Sequence, residues 1–225
     1  MTYKVSFPNS PLDESHNVDI LTNEITGLVI EAGETFSINK VAGPYSSDRG
    51  YRRGESYHGS KVIKTYGGGV CKVASALYNL AILSNLEVVE RHSHGMPIPY
   101  VPPGRDSALA YDYKDLKFKN TTDGPILIWG EVIGDDLYLA LYGTQPPPSV
   151  TWKQKIIETE GFPTIKKKTK RLKEGEEKVV IQGTKGITIK SWLLIEYSNG
   201  RKERKNLGVD SYNPRPRVVL VGEGE

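Results

Sequence analysis

The feature that most constrains the fold is a short, almost wholly apolar segment that follows Cys71, the only cysteine of the chain. Residues 73–83 read Val-Ala-Ser-Ala-Leu-Tyr-Asn-Leu-Ala-Ile-Leu. A helix that is apolar on most sides is buried in a core, and one of this length is too short to span a membrane. We therefore predict a buried helix over residues 71–84, with the cysteine at its N-terminus.

The chain after this helix is predicted to return to the cysteine. A tight reversal at residues 84–85 and a strand over residues 86–92 would give a helix and a strand that are each roughly 20 Å long, because a helix rises about 1.5 Å and a strand about 3.3 Å per residue. His92 is therefore predicted to lie beside Cys71. His94 has the same parity and is predicted to face the same side of the strand.

A thiol at a helix N-terminus that faces an imidazole is typical of a cysteine nucleophile. We predict Cys71 as the nucleophile and His92 as the base, with Asp106, or as a second choice His94, orienting the imidazole. The three glycines at residues 67–69 allow positive φ and a close approach of the backbone. After these glycines in the chain, the N–H groups of Cys71 and of its neighbour would bind a developing oxyanion.

Two other roles for these groups remain open at the level of sequence. A cysteine at a buried helix start is often a small core residue, and the histidines can be structural. Thiolate and imidazole also suit zinc, so that Cys71, His92 and His94 could bind this metal with a carboxylate from Asp106 or Asp112. Paired-cysteine zinc motifs and a phosphate loop are absent, so our first expectation is that no metal or cofactor is bound.

The composition of the chain changes at a proline-rich segment, Gln-Pro-Pro-Pro-Ser at residues 145–149, which predicts a stiff linker. Before it we predict an α+β domain over residues 1–144, in which the buried helix packs on an antiparallel sheet. This domain contains a helix at about 17–30 and a hairpin of strands 126–133 and 137–142. After the linker we predict a smaller all-β domain over residues 150–225, with strands at 178–182, 187–197 and 217–221 and a hairpin turn at 198–200.

The charge divides unevenly between these two parts. Residues 151–225 carry 17 Lys and Arg against 10 Asp and Glu, whereas the first 150 residues carry 13 against 17. A basic part beside an acidic part favours an anionic polymer or surface as partner. Nucleic acid is not expected, because the basic run at residues 166–171 lacks interleaved aromatic side chains. A single cysteine excludes an intrachain disulfide, and no membrane span is predicted.

Several ordered motifs between residues 16 and 143 resemble the VanW family, named for an accessory vancomycin-resistance protein. They include Gly-Gly-Gly-Val-Cys at 67–71, Leu-Glu-Val-Val-Glu-Arg-His-Ser-His at 86–94 and Pro-Tyr-Val-Pro-Pro-Gly-Arg-Asp at 99–106. Where the family usually reads Cys-Gln-Val-Ser-Ser-Thr, this chain reads Cys-Lys-Val-Ala-Ser-Ala. The resemblance implies a bacterial, Gram-positive origin and a place in the cell envelope or outside the cell. The absence of a signal peptide is equally compatible with a cytoplasmic protein or a truncated chain.

The glycine-spaced strands after residue 150 resemble the G-five domain, a small all-β module named for its glycines. That family is found on extracellular and cell-wall proteins, and the resemblance implies binding of N-acetylglucosamine-containing polymers or adhesion. The partner expected for the whole chain is therefore a cell-wall polymer, either peptidoglycan or an anionic glycan.

Two functions are compatible with these patterns. In the first, the protein is a cysteine-dependent amide hydrolase or transpeptidase that acts on cell-wall peptides. In the second, it is a non-catalytic cell-wall binding module with a structural cysteine and histidines. In the second function, the loops at about 43–66 and 95–113 would form a groove with tyrosine faces for a glycan or peptide stem, and the all-β part would anchor the protein. The residues predicted to bind substrate are Gly68, Gly69, Tyr51, Tyr100 and Arg105.

Overall fold

A computed structural model describes residues 1–58 and 61–223. The helices are α1 Leu12–Ile25, α2 Ile38–Ala42 and α3 Cys71–Leu83. The strands of the first part are β1 Thr2–Ser6, β2 Val29–Ile30, β3 Thr35–Ser37, β4 Arg53–His58, β5 Lys61–Tyr66, β6 Glu87–Glu90, β7 Lys117–Lys119, β8 Ile126–Ile133 and β9 Asp136–Gly143. Those of the second part are β10 Ser149–Glu160, β11 Thr164–Thr169, β12 Glu177–Ile181, β13 Gly186–Glu196, β14 Lys202–Tyr212 and β15 Arg217–Gly222.

The first part is α+β, as predicted. Its main sheet has the order β1-β9-β8-β2, and smaller sheets are formed by β3-β7-β6 and by β4-β5. The strands of the main sheet pair antiparallel. The hairpin predicted from two apolar runs is β8–β9, and Gly134 in its turn has a φ of 61°.

The predicted buried helix is α3, and every residue in it from Lys72 to Ile82 is buried. It contacts β1 and β9 of the main sheet as well as β6 and α1. Complete enclosure explains its composition, because a helix with neighbours on all sides has no solvent face on which to place charges. Lys72 is the exception, and its charge is paired within the core.

The first helix lies earlier than predicted. We expected residues 17–30, whereas α1 begins at Leu12 directly after Pro11 and ends at Ile25. Proline is well accommodated at a helix start because it lacks an N–H. At the other end, Thr26 is extended and Gly27 has a φ of 86°, which stops the helix. The apolar residues that follow belong to a strand, β2, which pairs with β8.

The second part is all-β, as predicted, with two three-stranded sheets of order β10-β13-β14 and β11-β15-β12. The turn at residues 198–200 joins β13 to β14 and is closed by a hydrogen bond from the Tyr197 N–H to the Arg201 carbonyl (2.9 Å). One hydrophobic core includes residues of both parts, since Trp152 and Leu193 belong to the same buried cluster as Leu77 and Tyr78. No helix in the described ranges is long and apolar enough to cross a membrane.

Candidate active site

Cys71 is the first residue of α3, is half-buried and lies at the wall of a cavity of about 810 Å³. The Leu109 N–H donates to its sulfur at 3.3 Å. The N–H groups of Lys72 and Val73 donate to the carbonyls of Gly69 and Val70, both at 3.0 Å. Within the part of the chain that the structure describes, the Cys71 N–H has no backbone acceptor. It is therefore the helix-start donor that stays available beside the thiol, whereas the predicted second donor, on Lys72, is already bonded.

The glycines before the cysteine are required by close packing. A side-chain carbon on Gly68 would lie 2.1 Å from the carbonyl carbon of Gly54, a distance that no side chain could adopt. Gly67 and Gly69 have φ values of 76° and 104°, which favour glycine. Asn17 on α1 donates from its amide to the Gly68 carbonyl at 2.8 Å. Together these contacts fix the turn that presents the thiol.

His94 and Asp106 form the second half of the site. Asp106 Oδ2 accepts from the His94 ring at Nδ1 (2.6 Å) and from the His94 backbone N–H (2.7 Å). Both side chains are buried, and Asp106 has no exposed surface. Because Nδ1 is held by the carboxylate, Nε2 is the ring nitrogen left to face the Cys71 thiol, and the two side chains are close enough for each to shift the pKa of the other. The structure therefore brings together a thiol, an imidazole and a carboxylate in the order of a nucleophile, a base and an orienting acid.

The prediction that His92 lies beside Cys71 is wrong, and His94 occupies that place. The ring of His92 instead contacts Glu90 at 3.0 Å and remains half-exposed. The parity argument failed because β6 ends at Glu90 and has a register shift between Val88 and Glu90. A bulge of this kind changes which side of the strand the following residues face.

The charges of the site support one another. Burial by itself raises the pKa of the Cys71 thiol, but the hydrogen bond and charge of His94, the Leu109 N–H and the Lys72 charge outweigh it and hold this pKa below its ordinary value. Burial lowers the pKa of His94, whereas the Asp106 and Cys71 side chains raise it to about 9. The pKa of Asp106 falls to about 2 against the cost of burial, through His94, Arg91 and Tyr212. The arrangement favours a thiolate beside an imidazolium.

The cavity in front of the thiol is built from tyrosine-rich loops. The predicted binding residues Tyr100 and Gly69 line it, together with Tyr45, Tyr66, Tyr111 and Tyr113. Three other predicted binding residues lie elsewhere. Tyr51 is buried, with its ring packed edge-on against Tyr45 in the core. Its hydroxyl donates to Glu24 at 2.6 Å. Arg105 stacks on Trp152, with its guanidinium carbon 4.7 Å from the ring centre, and Gly68 packs behind the cavity wall on Gly54.

The zinc alternative gains no support from the arrangement of ligands. Among residues 1–58 and 61–223, no cluster of three or more His, Cys, Asp or Glu side chains is arranged to hold a metal ion. Asp106 uses Oδ2 on His94, and His92 contacts Glu90. Asp112, the other carboxylate considered, has a φ of 69° in an exposed turn.

Sequence reasoning missed the groups that surround Asp106. Its second oxygen, Oδ1, accepts from Arg91 Nη2 (2.9 Å) and from the Tyr212 hydroxyl (2.5 Å). Arg91 belongs to the same Arg-His-Ser-His stretch as the histidines and could have been considered from that position. Tyr212 lies more than a hundred residues away on β14, and no local pattern connects it with the site.

Fold and site together define a protein in which an α+β domain with a cysteine–histidine–aspartate cluster is joined to an all-β module. The family model described as VanW like protein matches residues 13–142, and the chain belongs to this family. The G5 domain model matches residues 152–223. Both resemblances predicted from sequence motifs are thus confirmed.

Two curated relatives each match part of the chain. One is the uncharacterized protein YoaR of Bacillus subtilis, 34% identical over 142 residues, which are 63% of this chain and 47% of that protein. The other is the vancomycin B-type resistance protein VanW of Enterococcus faecalis, 28% identical over an alignment of 140 residues that covers 56% of this chain and 51% of that protein. The chain thus spans about half the length of the curated relatives it matches.

Two solved structures were also found. The IgA1 protease G5 domain is 20% identical, with a TM-score of 0.24, and the match covers 37% of this chain and all of that one. The HP0197-G5 crystal structure is 14% identical, with a TM-score of 0.20, and the match covers 33% of this chain and 99% of that one.

Proposed function

We propose that this protein is a cysteine-dependent amide hydrolase or transpeptidase of the bacterial cell envelope that acts on peptidoglycan-type peptides. The observation that carries the proposal is the Cys71–His94–Asp106 arrangement at the wall of an open cavity. A depressed thiol pKa, a raised imidazole pKa and a buried carboxylate on the far side of the ring are the three properties that an activated cysteine requires. The envelope location is supported by the VanW and G5 family matches.

The reaction follows from the positions of the protons. The Cys71 thiolate attacks the amide carbonyl of a bound peptide, and the resulting oxyanion faces the Cys71 N–H at the start of α3. His94 passes its Nε2 proton to the departing amine, so that the C–N bond breaks and a thioester on Cys71 remains. Water, or the amine of a second peptide, then attacks the thioester while His94 takes its proton. The C–S bond of the thioester then breaks, which regenerates the Cys71 thiolate and releases the acyl product as a free acid after attack by water or as a new amide after attack by the amine.

The partner proposed for the all-β part is the wall polymer itself. Residues 151–225 carry a net charge of +7, from 17 Lys and Arg against 10 Asp and Glu. On β11, Lys166, Lys167 and Lys168 are exposed. Exposed cations on a strand attract an anionic glycan without a dedicated pocket. Such binding would concentrate the enzyme on its polymeric substrate.

The first test is the rate of Cys71 alkylation by iodoacetamide against pH. Wild type is expected to titrate well below about 8.5, the reference for a free cysteine, and His94→Ala is expected to move the midpoint upward. His92→Ala is the matched control, since it removes an imidazole two residues away that contacts Glu90 rather than the thiol. A thiol that titrates normally in wild type, or one that is indifferent to His94, would refute the nucleophile.

The second test identifies the chemistry. Wild type and Cys71→Ser are incubated with soluble peptidoglycan fragments, with and without an added amine acceptor, and followed by mass spectrometry. We expect an acyl adduct on Cys71 together with shortened or exchanged peptides that the serine variant does not produce.

The alternative, a non-catalytic wall-binding module, is favoured by one observation. Tyr66 and Tyr113 at the cavity are 46% and 85% exposed, which suits stacking on sugars without any reaction. If fragments bind equally to wild type and Cys71→Ser in calorimetry and no adduct or product forms, this function replaces the first.

A further inference from the structure

The carboxylate of the site is held from both sides, and one side belongs to the all-β part. Asp106 Oδ2 serves His94, while Oδ1 accepts from Arg91 and from the hydroxyl of Tyr212 at the end of β14. Tyr212 is only 3% exposed. Burial and the nearby Asp106 charge raise the pKa of Tyr212, so that the phenol keeps its proton and donates it to the carboxylate.

The Tyr212 hydroxyl acts both as a hydrogen-bond donor and as an acceptor. It donates to Asp106 and accepts from the backbone N–H of Gly104 at 2.7 Å. The next residue, Asn213, donates its N–H to the carbonyl of Gly95 at 2.9 Å. Gly95 directly follows His94, and Gly104 lies two residues before Asp106. Residues at the C-terminal end of β14 therefore hydrogen-bond to both ends of the loop that connects His94 to Asp106.

A second connection runs through Arg91. Its Nη2 and Nε donate to Asp106 at Oδ1 (2.9 Å) and at the backbone carbonyl (2.7 Å), while its Nη1 donates to Asp210 on β14. The Arg91 side chain is only 12% exposed, so that it is held between two carboxylates with little screening by water. The all-β part thus orients the guanidinium that completes the shell of Asp106.

The loop is fixed at a third point by β10. Gln154 donates from its side-chain amide to the Pro103 carbonyl at 2.8 Å and accepts from Arg105 at 3.3 Å. Residues of β10 and of the end of β14 therefore contact the loop over residues 95–106, which carries the carboxylate of the site. An interface that served only to join two domains would not have to use the carboxylate of the site.

Resting on the proposed function, we propose that Tyr212 is a positioning residue of the Cys71–His94–Asp106 site and that the all-β part completes this site in cis. It acts on the thiol through Asp106 and His94 and does not touch the reacting atoms. Docking of the all-β part then determines whether the thiol is activated, in addition to any binding of the wall polymer.

The test compares Tyr212→Phe with wild type in the full chain. Two readouts are taken: the pKa of His94 by NMR titration of its imidazole, and the pH dependence of Cys71 alkylation. Loss of the hydroxyl leaves Arg91 as the donor to Oδ1, so that Asp106 is held less firmly. Because the Tyr212 hydrogen bond also lowers the pKa of Asp106, its loss changes both the charge and the position of the carboxylate. We therefore expect the His94 pKa to move away from its wild-type value and alkylation at neutral pH to slow several-fold. Tyr197→Phe is the matched control, because this tyrosine lies just after β13 and bonds to Glu203 and Asn85, away from the site.

A His94 pKa and an alkylation profile that are both unchanged in Tyr212→Phe would overturn the inference. If this variant is too unstable to titrate, Asp210→Asn is read by the same two measurements, since it weakens the contact of Arg91 with β14 and leaves the Tyr212 hydroxyl bonded to the Gly104 N–H. Failure of the proposed function is distinguishable, because a wild-type thiol that titrates normally refutes the nucleophile whatever Tyr212 does. The NMR readout tests the positioning role without any activity.

Discussion

Asp106 binds His94 twice through one oxygen, Oδ2, which accepts from the ring Nδ1 at 2.6 Å and from the backbone N–H at 2.7 Å. The double contact fixes both the rotation of the ring and its tautomer, since the proton on Nδ1 is held by the carboxylate. The other nitrogen is thereby directed to the thiol. Several measurable consequences come from this geometry.

Asp106→Asn should remove the charge while it keeps the shape. We expect the pKa of His94 to fall from about 9 toward 6.5, because the carboxylate no longer stabilises the imidazolium. Acylation of Cys71 by peptide should slow by about 10²-fold or more, the usual contribution of an acid–base group. Single-turnover mass spectrometry measures this rate. Asp112→Asn, in an exposed turn, should behave as wild type, and an equal loss in both variants would contradict the role given to Asp106.

The pH dependence of acylation should be bell-shaped. The rising limb reports formation of the Cys71 thiolate, which begins below the ordinary thiol pKa because His94 and Lys72 lower it. The falling limb reports loss of the imidazolium proton, with a midpoint at about 9. Because Cys71 and His94 interact, the two midpoints are pKa values of the pair and not of either residue alone. Initial rates from pH 4 to 11 measure the profile, and a rate that keeps rising above pH 10 would show that no protonated imidazole is needed.

Gly68→Ala should destabilise the protein by about 1–3 kcal/mol, the usual cost of overpacking. The added carbon would lie 2.1 Å from the Gly54 carbonyl carbon, so the turn before Cys71 must move. Gly161→Ala is the control, because nothing lies within 4 Å of its added carbon. Urea unfolding measures both. Equal stability of the two variants would mean that the glycine turn can relax freely.

Lys72→Met should cost about 3–5 kcal/mol, since it leaves the buried Glu14 charge without its partner at 2.7 Å. The double variant with Glu14→Gln should recover part of this loss, because no unpaired charge remains. Lys166→Ala breaks an exposed pair with Glu177 and should cost about 0–1 kcal/mol. Free energies of unfolding from urea titrations compare the three. Additive effects of the Lys72 and Glu14 changes would argue against a coupled pair.

Much of the site could be predicted from local patterns. The apolar run located α3 to within a residue, and the glycine run before it indicated the turn at the thiol. Cys71 and Asp106 were both chosen as site residues. The histidine was misassigned because a bulge and an early strand end interrupted the alternation used to count faces. The predicted start of the first helix was too late because the prediction took no account of Pro11, which directly precedes α1.

Local patterns were therefore enough to predict the buried helix α3, the position of the thiol at its start and the families that the chain resembles. These follow from periodicity and composition, which act over a few residues. The choice of His94 over His92 at Cys71, the hydrogen bond from Tyr212 to the Asp106 carboxylate and the contact of Asp210 with Arg91 come from long-range packing. Those contacts join residues up to 119 positions apart. They depend on how the all-β part packs on the loop after His94, a relation between distant surfaces that no local pattern encodes.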